Sequence, residues 1–204
     1  MLTRLTAPAD TWELIWTWVG RVLVVNLGLA VTNLPLLLAL SIVDRPWRYP
    51  LFFGVLCLGL GPSVAAAFAH LHGDSFVRAY RRHFGRAALR WSVVVGGVGV
   101  VAVDVVALHD ADPGALLVPM LVVLAVLLLA AGTLWLAMLP LEHGGGVREA
   151  LWTALRRWPL SLLSLTVLVA AAAAVNQAPV LGLATVPGCA LFVVWHNSRA
   201  AVTA

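Results

Sequence analysis

Apolar residues along this chain do not alternate with polar ones; they run together in long blocks separated by short polar or charged intervals. A hydrocarbon core of about 30 Å takes about 20 helical residues at about 1.5 Å each, and six blocks approach that length. They lie near residues 20–43, 51–71, 89–108, 115–140, 158–176 and 179–197. The pattern predicts an all-α fold: a polytopic transmembrane helix bundle of about six helices, in a single integral membrane domain over residues 1–204. Only Asn176, Gln177 and Ala178 separate the last two blocks ahead of Pro179, so a re-entrant hairpin is the alternative to two crossings there. The opening MLTRLTAPAD lacks an apolar core with a small-residue cleavage site and predicts no removable signal peptide.

Composition strengthens this reading. With 62% hydrophobic and 11% charged residues and a mean hydropathy of +0.97, a water-soluble domain of this size lacks the polar surface to cover its apolar content. Its partner is therefore the lipid bilayer. The net charge of +4 is carried entirely by arginine on the basic side. In a soluble protein it would point to nucleic acid, but here its placement matters more than its sign, and no nucleic-acid partner is expected. Arg4, Arg21, Arg78, Arg81, Arg82, Arg86, Arg90, Arg148, Arg156, Arg157 and Arg199 fall on one side of the predicted bundle, and only Arg45 and Arg48 on the other. The positive-inside rule then puts both termini in the cytoplasm, in a bacterial inner membrane. Tryptophan agrees: Trp12, Trp16, Trp18, Trp91, Trp152, Trp158 and Trp195 sit near cytoplasmic ends and Trp47 near the outer one, with only Trp135 a turn deeper.

Polar residues inside the blocks are the candidates for helix packing or for facing a solute. Asn26 and Asn33 are seven residues apart, on nearly one helix face, with the small Ala30 between them. In the second block Pro62 removes a backbone donor while Gly59 and Gly61 loosen the same turn, which predicts a kink or break. Asp104 is the one acid within an apolar run, about 22 Å along its helix from Leu89, either snorkelling to the outer interface or packed in a polar contact. Gly96 and Gly99 of the same helix suggest close helix approach.

Chemistry-bearing patterns are sparse. His70, His72 and Asp74 form H-x-H-x-D, but residues two apart on a helix point about 200° from each other, so they do not share one ion without unwinding. His83, His109, His143 and His196 are scattered, and no metal, nucleotide or dinucleotide motif surrounds them. Cys57 and Cys189 both lie inside apolar blocks, which excludes a disulfide scaffold. No catalytic residue, cofactor or metal site is expected, and the chain reads as a non-enzyme.

Two loops are informative. In SFVRAYRRHFGRAALRW, residues Phe76, Tyr80, Phe84, Ala87 and Trp91 share one helical face while Arg78, Arg81, Arg82, Arg86 and Arg90 spread around the rest. This predicts a basic amphipathic surface helix near 75–88, its aromatic face in the headgroup boundary or against a protein partner. The loop GGGVREALWTALRRWPL opens with a flexible triple glycine; its Glu149 and Ala150 are like the start of the coupling loop of ABC permeases, but that motif's glycine is missing and the match is one of chance.

The order of several short motifs is similar to one family. N-L-x-L and N-L-P (Asn26 to Leu29, Asn33 to Pro35) come first, followed by G-P-S-x-A-A-A (Gly61 to Ala67) and R-A-Y-R-R-H-F (Arg78 to Phe84). L-P-L-E (Leu139 to Glu142) and E-A-L-W-T-A-L-R-R-W-P-L (Glu149 to Leu160) complete the series. In this order they resemble the YesL family of bacterial integral membrane proteins over most of the chain. One departure is that residues 36–60, with the loop DRPWRYP, stand between helices that nearly adjoin in typical members. The resemblance implies no catalytic activity and an accessory or assembly role beside carbohydrate ABC transporters, with permease or ATPase subunits as partners. The alternative is a small-solute transporter or channel in its own right.

Overall fold

In a computed structural model of the protein, the described residues are 7–108, 114–140, 146–177 and 179–203. They form α1 (Ala7–Thr32), α2 (Leu34–Ile42), a short 3-10 turn (Pro46–Arg48), α3 (Pro50–Cys57), α4 (Leu60–Leu71) and α5 (Phe76–Leu108). The series continues with α6 (Gly114–Ala137), α7 (Val147–Arg156), α8 (Trp158–Gln177) and α9 (Pro179–Thr203). No strand occurs among the described residues. Four stretches among them are long and apolar enough to cross a bilayer: Pro50–Leu71, Phe76–Leu108, Leu116–Ala137 and Trp158–Val175. The bent pair Trp16–Thr32 and Leu34–Ile42 raises the number to five if it is one span. The chain is thus a multi-pass helical membrane protein. The sixth apolar block lies in α9, which runs back along α8: Gly182 packs on Val175 near the turn, and Asn197 bonds Ser164 farther along.

The first block is not the single helix its hydropathy suggests. α1 starts at Ala7, well before residue 20, and the chain bends by 64° between α1 and α2. Pro35 has no N–H for the carbonyl of Val31, while Thr32 Oγ1 donates to Gly28 O at 2.7 Å and Asn33 Nδ2 to Leu29 O at 2.9 Å. Side chains thus take carbonyls at the point where proline interrupts the backbone ladder, which bends the helix. The second block breaks at the predicted place but mildly. Leu58 and Gly59 stay in right-handed helical geometry, and Pro50–Leu71 still makes one span.

α4 is the packing centre, in contact with α1, α5, α6 and α9. Ala65, Ala66, Ala67 and Ala69 are completely buried, as is Phe68, and the small alanine side chains bring neighbouring helices close. Gly61 shows how close: a Cβ there would collide with Cβ of Trp91 and stand 3.1 Å from Ala87 O, both on α5.

The stretch 75–88 does not form a helix of its own. α5 continues without interruption over 33 residues, about 50 Å long, because only Gly85 and no proline lies between Phe76 and Leu89. Its buried stripe is Phe76, Ala79, His83, Ala87, Val94 and Val101. The first half runs antiparallel to α4, and the second half lies against α6, where Gly132 accommodates Val94 and a Cβ would stand 2.7 Å from its Cγ2. Gly96 and Gly99 face open space, so the close approach expected of them is made by Gly132 on the partner helix instead.

Candidate functional site

Asn26 is 3% exposed and engages both ends of its amide on α9. Its Nδ2 donates to Ala184 O at 2.7 Å, and its Oδ1 accepts from Gly188 N at 2.6 Å. Residues 184 and 188 are the pair that an unbroken α-helix would join by its own hydrogen bond. Pro187, inside α9, disturbs that ladder, and the asparagine bridges the two groups from outside. Gly188 admits it: a Cβ there would lie 2.9 Å from both Asn26 Oδ1 and the Val22 carbonyl. Pro187 and Gly188, a proline–glycine pair within an apolar block, carried the same kind of break signal as Pro62, and it was not read.

Asn33 is 6% exposed, but it faces a different situation. Its Nδ2 turns back on Leu29 O, and its Oδ1 is buried without a hydrogen-bond partner, close to Gly59. Beside it, Thr32 Oγ1 lies 2.9 Å from Ser63 Oγ, while Ser63 also reaches Gly59 O at 2.7 Å and Thr32 reaches Gly28 O. Each hydroxyl has one proton for these three contacts. The junction between the α1/α2 bend and the α3/α4 turn therefore has more acceptors than donors. Pro62 is fully buried beside it, and the Cys57 carbonyl at the end of α3 accepts from Trp91 Nε1 at 3.0 Å.

The arginine-bearing half of α5 divides its aromatic residues. Phe76 is 6% exposed and its ring covers Gly28 of α1, so it is an internal contact and not part of an outer surface. Tyr80 is half-buried and Phe84 exposed, with ring centroids 5.4 Å apart. Arg78, Arg81, Arg82 and Arg86 are exposed and form an outer ridge. Arg90 turns inward: its guanidinium donates to Trp135 O at 2.9 Å and lies 5.0 Å from that ring's centroid, capping the last turn of α6 where carbonyls lack helical partners. This pairing accounts for the depth of Trp135. Arg21 on Trp18 and Arg199 on Trp195 repeat it.

The histidines diverge as helix geometry requires. His70 Nδ1 meets Asp74 O at 2.7 Å. His72 Nδ1 lies 2.9 Å from Phe68 O and 2.9 Å from Trp195 Nε1, with the two rings at 86°. When Nδ1 carries the proton and gives it to the carbonyl, Nε2 is the acceptor left for the indole N–H, at 3.3 Å. No group of three metal-ligating side chains occurs among the described residues. Asp104 is exposed on the outer part of α5. Cys57 and Cys189 are free. Arg4, His109, Asp110, Asp112, Glu142 and His143 lie outside the described residues.

The sequence pattern predicts a loop over the segment of α7, whereas Val147–Arg156 is a helix. Ala150 and Ala154 are its buried side, while Val147, Leu151, Trp152 and Leu155 are exposed. The signal was present in the spacing of Val147, Leu151 and Leu155. No family model, curated protein or solved structure matches the chain.

Proposed function

We propose that the protein is a non-enzymatic accessory or assembly partner of a membrane transport system in a bacterial inner membrane, with both termini in the cytoplasm. The observation that carries this reading is the α5 ridge: Arg78, Arg81, Arg82 and Arg86 exposed beside Tyr80 and Phe84, on a helix held rigidly along the buried α4. A rigid basic surface with aromatic anchors suits a protein partner bearing acidic side chains. The motif order that resembles the YesL family favours a carbohydrate ABC uptake system, with a permease loop or ATPase as that partner. Purification from native membranes in mild detergent tests it. The wild type brings a permease or ATPase subunit with it, and Arg78→Glu with Arg82→Glu loses that subunit while still folding. Recovery of the wild type alone overturns the reading.

A second reading, a small-solute transporter, is favoured by the acceptor-rich junction at Thr32, Asn33 and Ser63. Buried oxygens without enough donors suit a solute that supplies hydroxyl or amine hydrogens, and facing helix breaks line sites of that type in transporters. Its test is flux into liposomes containing the purified protein, where rates equal to those of empty liposomes end it.

A further inference from the structure

We infer that α7 is an interfacial helix whose exposed apolar strip lies in an anionic lipid surface. Val147, Leu151 and Leu155 recur at every fourth position and are exposed, with Trp152 beside them 66% exposed. The adjoining flank is used internally, Ala150 and Ala154 being buried and Ala154 packing with Ala131 and Leu134 of α6. α7 is therefore fixed to the bundle by its small residues and leaves its large ones outward.

Two observations choose lipid as the occupant. First, the strip continues through exposed Trp158 into exposed Leu162 and Leu163 of α8, within the membrane-spanning stretch Trp158–Val175. The phase that covers those residues is hydrocarbon, and the strip joins it across the turn that carries Arg156 and Arg157. Second, Arg148 and Arg156 are exposed and border the strip, Arg157 follows at the turn into α8, and Glu149 is the only acid of the segment. An apolar face with tryptophan, edged by arginine, matches the headgroup boundary of an anionic leaflet in both polarity and charge.

The test places a nitroxide at Leu151→Cys or Glu149→Cys in full-length protein carrying Cys57→Ala and Cys189→Ala. The protein is reconstituted in phosphatidylcholine vesicles with or without phosphatidylglycerol. The label at 151 is expected to collide with oxygen in preference to an aqueous nickel chelate, and the label at 149 to show the reverse. Phosphatidylglycerol increases the lipid preference at 151, and Arg148→Gln or Arg156→Gln each removes about fivefold of it. Equal nickel access at 151 and 149 places the strip in water and overturns the proposal. Access to neither reagent places protein over it, including a second copy of this chain, and overturns it as well. Indifference to phosphatidylglycerol overturns the anionic part. Leu155→Cys repeats the measurement if the variant at 151 does not fold.

Discussion

Asn26 within α1 and Asn33 at the α1/α2 bend stand seven residues apart, each next to a proline-disturbed segment, yet they meet opposite fates. At the first junction Pro187 lies on α9, and the α1 asparagine answers it with both a donor and an acceptor. At the second, Pro35 lies on the asparagine's own chain direction, Asn33 turns back on Leu29 O, and its oxygen is left without a partner. Amide groups in hydrocarbon must find partners or cost stability. The difference shows that a buried amide closes a junction when the broken helix is a neighbour and leaves one open when the break is local. The closed junction is tied by two interhelical hydrogen bonds, and the open one leaves a buried acceptor without a partner.

The largest expected effect tests the closed junction by force. Gly188→Val puts a branched side chain against the Val22 carbonyl and Asn26 Oδ1, and backbone cannot move aside without parting α1 from α9. Destabilisation of about 3 kcal/mol, the upper end for overpacking, is expected, read as loss of a monodisperse peak in detergent or a large drop in thermal unfolding midpoint. Survival of that variant at wild-type stability would mean the α1–α9 contact is looser than described.

Next comes the amide itself. Asn26→Leu removes two interhelical hydrogen bonds and leaves Ala184 O and Gly188 N to find each other again. A loss of about 1–3 kcal/mol is expected, measured as the shift in unfolding midpoint. A null result would show that α9 closes its own ladder around Pro187, and the contrast between the two asparagines would collapse.

Asn33→Ala is expected to cost less than about 1 kcal/mol, since it gives up a bond to its own helix and also removes the oxygen that has no partner. A loss as large as that of Asn26→Leu would reveal a partner for that oxygen, such as a bound solute or ion, and would turn the open junction into an occupied site.

The two asparagines illustrate what the chain's one-dimensional pattern carries and what it does not. Their shared face was legible, because seven residues return a helix to nearly the same direction. Their partners were not: the groups that Asn26 bonds lie 158 and 162 residues away, and apolar blocks carry no pairing code. The helical class and the break near Pro62 followed from hydropathy and backbone chemistry. The separate helix expected near 75–88 did not form because a change from charged to apolar residues at Leu89 alters the surroundings of a helix without cutting its hydrogen-bond ladder. For the same reason Phe76, read as outward from its place on an amphipathic face, packs inward on Gly28. α7 lay open to reading in the spacing of Val147, Leu151 and Leu155, but a ten-residue helix is too short to register as a bilayer-length block.

The smallest effect is the most discriminating, because it repeats the glycine test at the other junction. A Cβ on Gly59 would lie 3.4 Å from Leu56 O and 3.6 Å from Asn33 Oδ1, both ordinary van der Waals separations, where the same atom on Gly188 would lie 2.9 Å from a carbonyl. Gly59 already has right-handed helical backbone angles, so alanine is not strained there and gains a little in helix propensity. Gly59→Ala is therefore expected to leave stability within about 0.5 kcal/mol of wild type. The added methyl also covers the open oxygen of Asn33. If the open junction binds a solute, Gly59→Ala slows flux at unchanged stability; if it is only a bend, flux and stability both stay at their wild-type values. A marked loss of stability would contradict both, and would show that this junction is packed as tightly as the one at Gly188.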